Sequence, residues 1–429
     1  MREKKKSGIE WVGDIPVTWK INTVFQLFTQ VKNKNSDLLE NNLLSLSYGK
    51  IKRKSIDTTE GLLPESFDGY NIIEADDIVL RLTDLQNDHK SLRVGLSPER
   101  GIVTSAYLTI RNRSESIAKY LYYYLHSFDV AKGFYGMGAG VRQGLNWDGV
   151  KWLKILSPNI LEQKRIVDHL DTECEKINGV IEQTRASIEE YKRLKQSIIT
   201  EAVTKGIRQD RPMKDSGIEW IGEIPADCET TRFQDFGDYK KGPFGSSITK
   251  DMFVEKSFNT YKVYEQKNAI YKDAQLGYYY ISEEKYRELI SFAVEAGDII
   301  VSCAGTIGEC YIMPDNSEAG VINQALMRIR INSNTEGRYF VFLFGSVLKY
   351  IADKYSNGSA MKNIPPFSIL KKVKVPAFSL EEQREIADWL DERIYAIDAL
   401  IAKKELFLTE MDNYKRSVIY EYVTGKKEV

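Results

Sequence analysis

A duplication constrains this chain more than any other feature. Ser7–Pro16 reads SGIEWVGDIP and Ser216–Pro225 reads SGIEWIGEIP, with eight of ten positions identical and conservative exchanges at Val12/Ile221 and Asp14/Glu223. A second match follows at an offset of 220 residues (Glu162 to Glu382), against 209 (Ser7 to Ser216) for the first. Glu162-Gln163 answers Glu382-Gln383, and Ile166, Asp168, Leu170 and Asp171 answer Ile386, Asp388, Leu390 and Asp391. The match runs on without a gap through Ile177/Ile397, Ile181/Ile401, Lys195/Lys415 and Thr204/Thr424. Self-similarity at a fixed offset marks a repeated structural unit. The chain is a tandem duplication, each half holding a start motif, a variable globular part and a helical arm.

The arms carry a heptad stripe. In the first, Leu170, Cys174, Ile177, Ile181, Thr184, Ile188, Tyr191 and Lys195 alternate spacings of four and three. Leu390, Ile394, Ile397, Ile401, Lys404, Leu408, Met411 and Lys415 repeat the pattern in the same register. Such a seam wants a partner helix, and two arms of matching length in one chain make mutual pairing the economical solution. Leu170, Ile177, Ile181 and Ile188 are expected to pack against Leu390, Ile397, Ile401 and Leu408. Pro158 and Pro376 precede the arms and Gly206 and Gly425 close them, as helix ends prefer. Roughly 40 residues at about 1.5 Å each give a rod of about 60 Å. Thr184/Lys404 and Lys195/Lys415 interrupt both stripes at matching places, either as solvated faces or as register and docking points.

Between motif and arm lie two globular segments, roughly 17–156 and 226–375, and the two offsets make the second longer by 11 residues. Both mix short β-rich runs with turns, among them Asp77–Leu80, Ile102–Ile110, Asp298–Val301 and Val321–Ile331. Each also holds an aromatic helical stretch, Tyr120–Phe134 and Tyr339–Tyr355. They align loosely outside anchors such as Gly101–Arg111 against Gly320–Arg330. The expected class is α+β: two mixed domains separated by two long paired helices, with an internal pseudo-twofold repeat. The expected boundaries are 1–156, 157–207 for the first arm, 208–375, and 376–429 for the second arm.

With 42% hydrophobic and 28% charged residues each part can bury a core. A formal net charge of −1 argues against a protein that coats nucleic acid, so DNA binding would need local basic patches. Cys174, Cys228, Cys303 and Cys310 form no C-x-x-C pair and only three histidines are present, so no metal site is expected. The cysteine usage suits a reducing cytoplasm. The basic start has no apolar stretch of a secretory signal, and the apolar run near Tyr339–Ala352 is too short to span a bilayer.

Two stretches imitate catalytic motifs. Asn363-Ile364-Pro365-Pro366-Phe367 resembles the N-P-P-F motif of amino-methyltransferases, but Ile364 displaces the amide from the prolines. Gly136–Gly140 resembles a glycine-rich cofactor loop, yet it follows a helical run instead of a strand. What does recur is DNA-contact chemistry in loops. Lys50, Lys52, Arg53 and Lys54 beside Tyr48 suit phosphate contacts. Lys240, Lys241, Ser246 and Ser247 frame a glycine-rich turn. Arg142, Gln143 and Asn146 in one half, and Lys362 and Asn363 in the other, sit at equivalent places before the arms. Arg, Gln and Asn can pair bidentately with base edges.

On these motifs the chain resembles the specificity (S) subunit of type I restriction–modification enzymes. The resemblance rests on SGIEWVGDIP and SGIEWIGEIP, on Leu161–Ile166 and Leu380–Ile386 before the arms, and on three stretches typical of that family's target-recognition domains. These are Lys241–Ser246, Gly297–Val301 with Gly305-Thr306-Ile307-Gly308, and Ile322–Ala325. It implies two target-recognition domains, each reading half of an asymmetric bipartite DNA site, with the arms as an antiparallel coiled-coil ruler. It implies assembly with two methyltransferase subunits and, for cleavage, two ATP-driven translocating nuclease subunits. Those partners would bind S-adenosylmethionine, ATP and Mg²⁺, and this chain would have no catalytic residue. A coiled-coil scaffold that reads no sequence and a self-sufficient methyltransferase are the competing classes. A rod of about 60 Å can set two readers one DNA turn, about 34–36 Å, apart.

Overall fold

The computed structural model describes residues 2–56, 66–137, 144–355 and 366–429. They form two compact units, Met1–Arg185 with Lys404–Val429, and Ala186–Lys403. The arms are two unbroken helices, Ile160–Lys205 and Leu380–Val423, and the division between units falls inside both.

Each unit holds a length of both arms, packed antiparallel. In the first, the Lys415 ammonium donates to Asn178 Oδ1 at 2.8 Å. In the second, the Lys195 ammonium meets both carboxylate oxygens of Asp398 at 2.7 Å. From Asn178 to Lys195 the first arm advances 17 residues while, from Lys415 to Asp398, the second retreats 17, as antiparallel pairing requires. Two of the lysines that interrupt the stripes, Lys195 and Lys415, therefore tie one arm to the other. Leu170, Ile177, Ile181, Ile188, Leu390 and Ile397 are buried, and Ile401 and Leu408 are half-buried. Thr184 is also buried, its hydroxyl donating to the Val180 carbonyl one turn back at 2.8 Å.

The globular parts share one strand plan. In the first unit a sheet runs in the order Phe28–Gln30, Leu108–Asn112, Ile78–Leu80, Val94–Leu96, antiparallel throughout. In the second the order is Gly237–Lys241, Leu326–Ile331, Ile299–Ser302, Cys310–Ile312, again antiparallel. The aromatic stretches form helices Ala118–Val130 and Gly337–Tyr355. Lys132 at φ +62 breaks the first before Phe134.

The same polar joints recur in both units. Asp77, buried just before strand Ile78–Leu80, takes Arg111 Nε and a terminal nitrogen at 2.7 Å each; Asp298 takes Arg330 in the same way at 2.8 and 2.7 Å. Gln163 accepts the Ile117 N–H at 2.8 Å and Gln383 the Glu336 N–H at 2.9 Å, supplying donors at helix starts that have no intrahelical partner. Tyr120 donates to the Val423 carbonyl and Tyr339 to the Val203 carbonyl, both at 3.3 Å.

These last contacts show how the halves close. The core of the first unit contains Val418, Ile419 and Val423 from the end of the second arm, under Tyr120 and Leu121. Its start motif lies there too: the Tyr420 hydroxyl donates to the Trp11 carbonyl at 3.1 Å, and Lys426 to that of Asp14 at 2.7 Å. In the second unit the end of the first arm, Ala202 and Val203, takes that place beside Cys228 and Tyr339. Gly206 and Gly425 close the arms at φ +76 and +69, and a Cβ at Gly425 would strike Pro16.

Candidate nucleic-acid interface

In the second unit one end of the four-stranded sheet gathers three sequence motifs. Strand Gly237–Lys241 runs into Gly242-Pro243-Phe244, and the Gly242 N–H donates to the Leu326 carbonyl at 2.9 Å. A Cβ at Gly242 would collide with the Asn323 carbonyl oxygen, so only glycine lets these two turns meet. Asn323 Oδ1 accepts the Ala325 N–H at 3.0 Å, and the Cys303 N–H donates to the Ala325 carbonyl at 2.8 Å. The Gly305–Gly308 turn, with both glycines at positive φ, is held by Gln266, whose amide donates to the Ala304 and Thr306 carbonyls. Lys241–Ser246, Gly305–Gly308 and Ile322–Ala325 thus form one loop cluster.

Its exposed chemistry is mixed. Lys240 lies 4.9 Å from the Phe292 ring centroid, a cation–π contact, while Lys241, Ser246, Thr306 and Gln324 are exposed. Ser247 is half-buried and Phe244 is 87% exposed. A cleft of about 520 Å³ between Phe244, Phe292 and Gln324 opens beside them. A flat aromatic face, two cations and an amide are what stacking, phosphate and base-edge contacts require.

The first unit presents the corresponding end of its sheet with different loops. The basic run expected as a loop is a strand, Lys50–Arg53, paired with Leu44–Ser47. Tyr48 at φ +47 and Gly49 at φ +76 make the two-residue turn that such a hairpin demands. Lys50, Lys52, Arg53 and Lys54 are exposed, but Arg53 is engaged by Glu99, its Nε donating at 2.6 Å. That pairing raises the guanidinium pKa and lowers the carboxyl's, and Glu99 competes with phosphate for this one cation of the run. Gly49 abuts Leu92, at the end of the connection between strands 78–80 and 94–96. Asn146 caps helix Trp147–Val150, its Oδ1 accepting the Gly149 N–H at 3.1 Å. The neighbouring Leu145 N–H donates to the Leu82 carbonyl at 2.8 Å, which brings this stretch beside the same connection. Arg142, Gln143, Lys362 and Asn363 lie outside the described residues, as do Ile364, Pro365 and part of the Gly136–Gly140 stretch.

Arg93 was not legible in the sequence. Its side chain is fully buried and its guanidinium donates to the carbonyls of Arg81, Thr83, Asp84 and Asp88 and to the Tyr135 hydroxyl. Asp129, also buried, accepts the Arg93 N–H at 2.6 Å. Burial pushes the Asp129 carboxyl up to about 6 against the opposing effect of Arg93. All four cysteines are free and buried, and no group of three metal-ligating side chains occurs among the described residues. No described helix is long and apolar enough to cross a membrane.

This loop-bearing α+β architecture defines a class. Residues 225–408 match the type I restriction modification DNA specificity domain. A protein of Methanocaldococcus jannaschii, provisionally named the type I restriction enzyme MjaX specificity subunit, is 25% identical over 97% of this chain and 96% of its own length. Two solved structures share the fold. One, from work on complex assembly and conformational transition of the type I R-M system, has a TM-score of 0.70 at 15% identity, covering 96% of this chain and 99% of its own. The other, the HsdS subunit of Thermoanaerobacter tengcongensis, has a TM-score of 0.51 at 14% identity over 98% of this chain and 100% of its own. The resemblance read from the motifs is thereby supported: residues 225–408 match a type I DNA specificity domain, and the whole chain is similar to a type I specificity subunit.

Proposed function

We propose that this chain is the DNA sequence-specificity subunit of a type I restriction–modification complex. Each globular part reads one half of an asymmetric bipartite site, and partner subunits carry out adenine methylation or cleavage. The observation that carries the reading is that the two units keep corresponding strands and polar joints while changing the loops that connect those strands. Strands Leu44–Ser47 and Lys50–Arg53 are joined by Tyr48-Gly49, whereas strands Thr260–Tyr264 and Tyr280–Ser282 are joined by residues 265–279 with a helix at Gln266–Tyr271. Strands 78–80 and 94–96 are joined by residues 81–93, and strands 299–302 and 310–312 by residues 303–309. A scaffold held constant under two loop sets is what two readers of different targets need; a plain coiled-coil scaffold has no use for it.

The chain itself is non-catalytic on this reading. Two methyltransferase subunits would use S-adenosylmethionine, and two nuclease–translocase subunits ATP and Mg²⁺. The exposed cations supply salt-dependent phosphate affinity, and the loop amides and aromatics supply discrimination. The paired arms fix the interval between half-sites. Mapping methylated adenines across the genome with and without this gene tests the reading. Loss of one bipartite motif on deletion is expected, and an unchanged map would refute it.

A further inference from the structure

A thirteen-residue surface connection, Arg81–Arg93, is organised from beneath by its own last residue. Taking a guanidinium out of water costs several kcal/mol unless its donors are paired. Arg93 meets that requirement by holding loop carbonyls at 3.1 Å (Arg81), 2.8 Å (Thr83) and 3.3 Å (Asp84), with Asp88 and Tyr135 completing the set. The backbone is thereby fixed, and Thr83, Gln86, Asn87, His89 and Lys90 remain exposed. Asp84 Oδ1 accepts from the Asn87 amide at 2.7 Å, and His89 stacks on Tyr135 with ring centroids 5.0 Å apart. The Gln86 amide is exposed and carries no hydrogen bond among the described residues.

Charge separates two uses for such a loop. Asp84 and Asp88 sit in it beside Lys90, and hydrogen bonds from Ser91 hold the Asp88 carboxyl down at about 2. Arg81, 3.7 Å from Asp88, offsets these two carboxylates together with Lys90 and the buried Arg93, so the loop carries little net charge and offers a phosphate backbone no cation cluster. Base edges in the major groove carry amino donors as well as acceptors, and a glutamine amide matches the N6/N7 pair of adenine. The connection also joins the same two strands of the sheet as the Gly305–Gly308 segment of the second unit.

We infer that Arg81–Leu92 is the base-reading loop of the first reader, that Gln86 reads an adenine in one half-site, and that Arg93 is the positioning residue that presents it. This rests on the specificity-subunit reading and names the residue behind one of its base choices. A fixed loop lowers the ordering cost of each contact, which is why a buried arginine is worth keeping there.

The test uses the full chain in the cells that make it, with Gln86→Ala and Gln86→Glu, reading methylated sites at single-base resolution. Gln86→Ala relaxes the adenine requirement at one position of one half-site by about tenfold to hundredfold, leaving the other half-site unchanged. Gln86→Glu moves the preference at that position toward cytosine, whose amino group a carboxylate accepts. Unchanged base preferences in both variants overturn the assignment, as does an equal loss at all positions of both half-sites. Both variants alter an exposed side chain and should keep the wild-type melting temperature, which removes misfolding as an explanation. A wild-type map that does not change on gene deletion sinks the underlying reading as well, and so is told apart from failure of Gln86 alone.

Discussion

Removing residues 418–429 is expected to unfold the first unit and leave the second folded. Val418, Ile419 and Val423 are 5, 3 and 0% exposed in a core that otherwise comes from the chain's first half. Full burial of such side chains contributes about 1.5–3 kcal/mol each, and together they approach the 5–15 kcal/mol that holds a whole domain. The Tyr420–Trp11 and Lys426–Asp14 bonds to the start motif go with them. Limited proteolysis followed by mass spectrometry checks this. Cleavage spread through residues 17–156 with residues 226–375 protected is the expected pattern, and equal protection of both would contradict it.

Arg93→Met should destabilise the first unit by about 3–5 kcal/mol, because several part-buried loop carbonyls and the Tyr135 hydroxyl lose their charged donor at once. Asp129 keeps the backbone N–H of residue 93 and the attraction of Lys132 but loses that of the guanidinium. The pH dependence has a definite sign. Asp129 titrates at about 6 in the folded chain against 3.8 for an ordinary aspartate, so the fold takes up this proton before the unfolded chain does. Its penalty is full above pH 6 and is relieved as pH falls toward 3.8. Loss of Arg93 removes an effect that lowers this pKa and enlarges that penalty. His126, buried and held near 4, works in the opposite direction, but it is present in both proteins and cancels in the difference. The gap in stability between wild type and variant, measured by chemical denaturation, should be largest near pH 8 and smaller near pH 5. A gap that grows on acidification would show that Asp129 is not the group involved.

The duplication exposed most of the architecture to sequence reading, because repeated motifs and heptads depend on local spacing. Three things escaped it, each for a physical reason. Which arm each start motif packs against is a long-range choice, and near-identical motifs cannot distinguish Trp11 on Tyr420 from Trp11 on its own arm. The run Lys50–Arg53 looked like a loop because its hairpin turn is Tyr48-Gly49, without the Asn-Gly or Asp-Gly signal that usually marks one. Arg93 carries no signal in the sequence because arginine is rarely buried, and only the carbonyls it gathers reveal its role. The match Gly101–Arg111 against Gly320–Arg330 did end on the two clamp arginines, but their partners, Asp77 and Asp298, showed only in three dimensions. On the arms, Leu400, Leu406 and Tyr395 stay exposed between stripe positions, which the heptad pattern leaves open.

The claim beneath all of this is that each reader works alone on a shared scaffold. Exchanging residues 17–156 for the matching segment of another specificity subunit, and then mapping methylated adenines, addresses it most directly. One half of the bipartite motif should change while the other half and the interval between them persist. A change in both halves, or in neither, would contradict it.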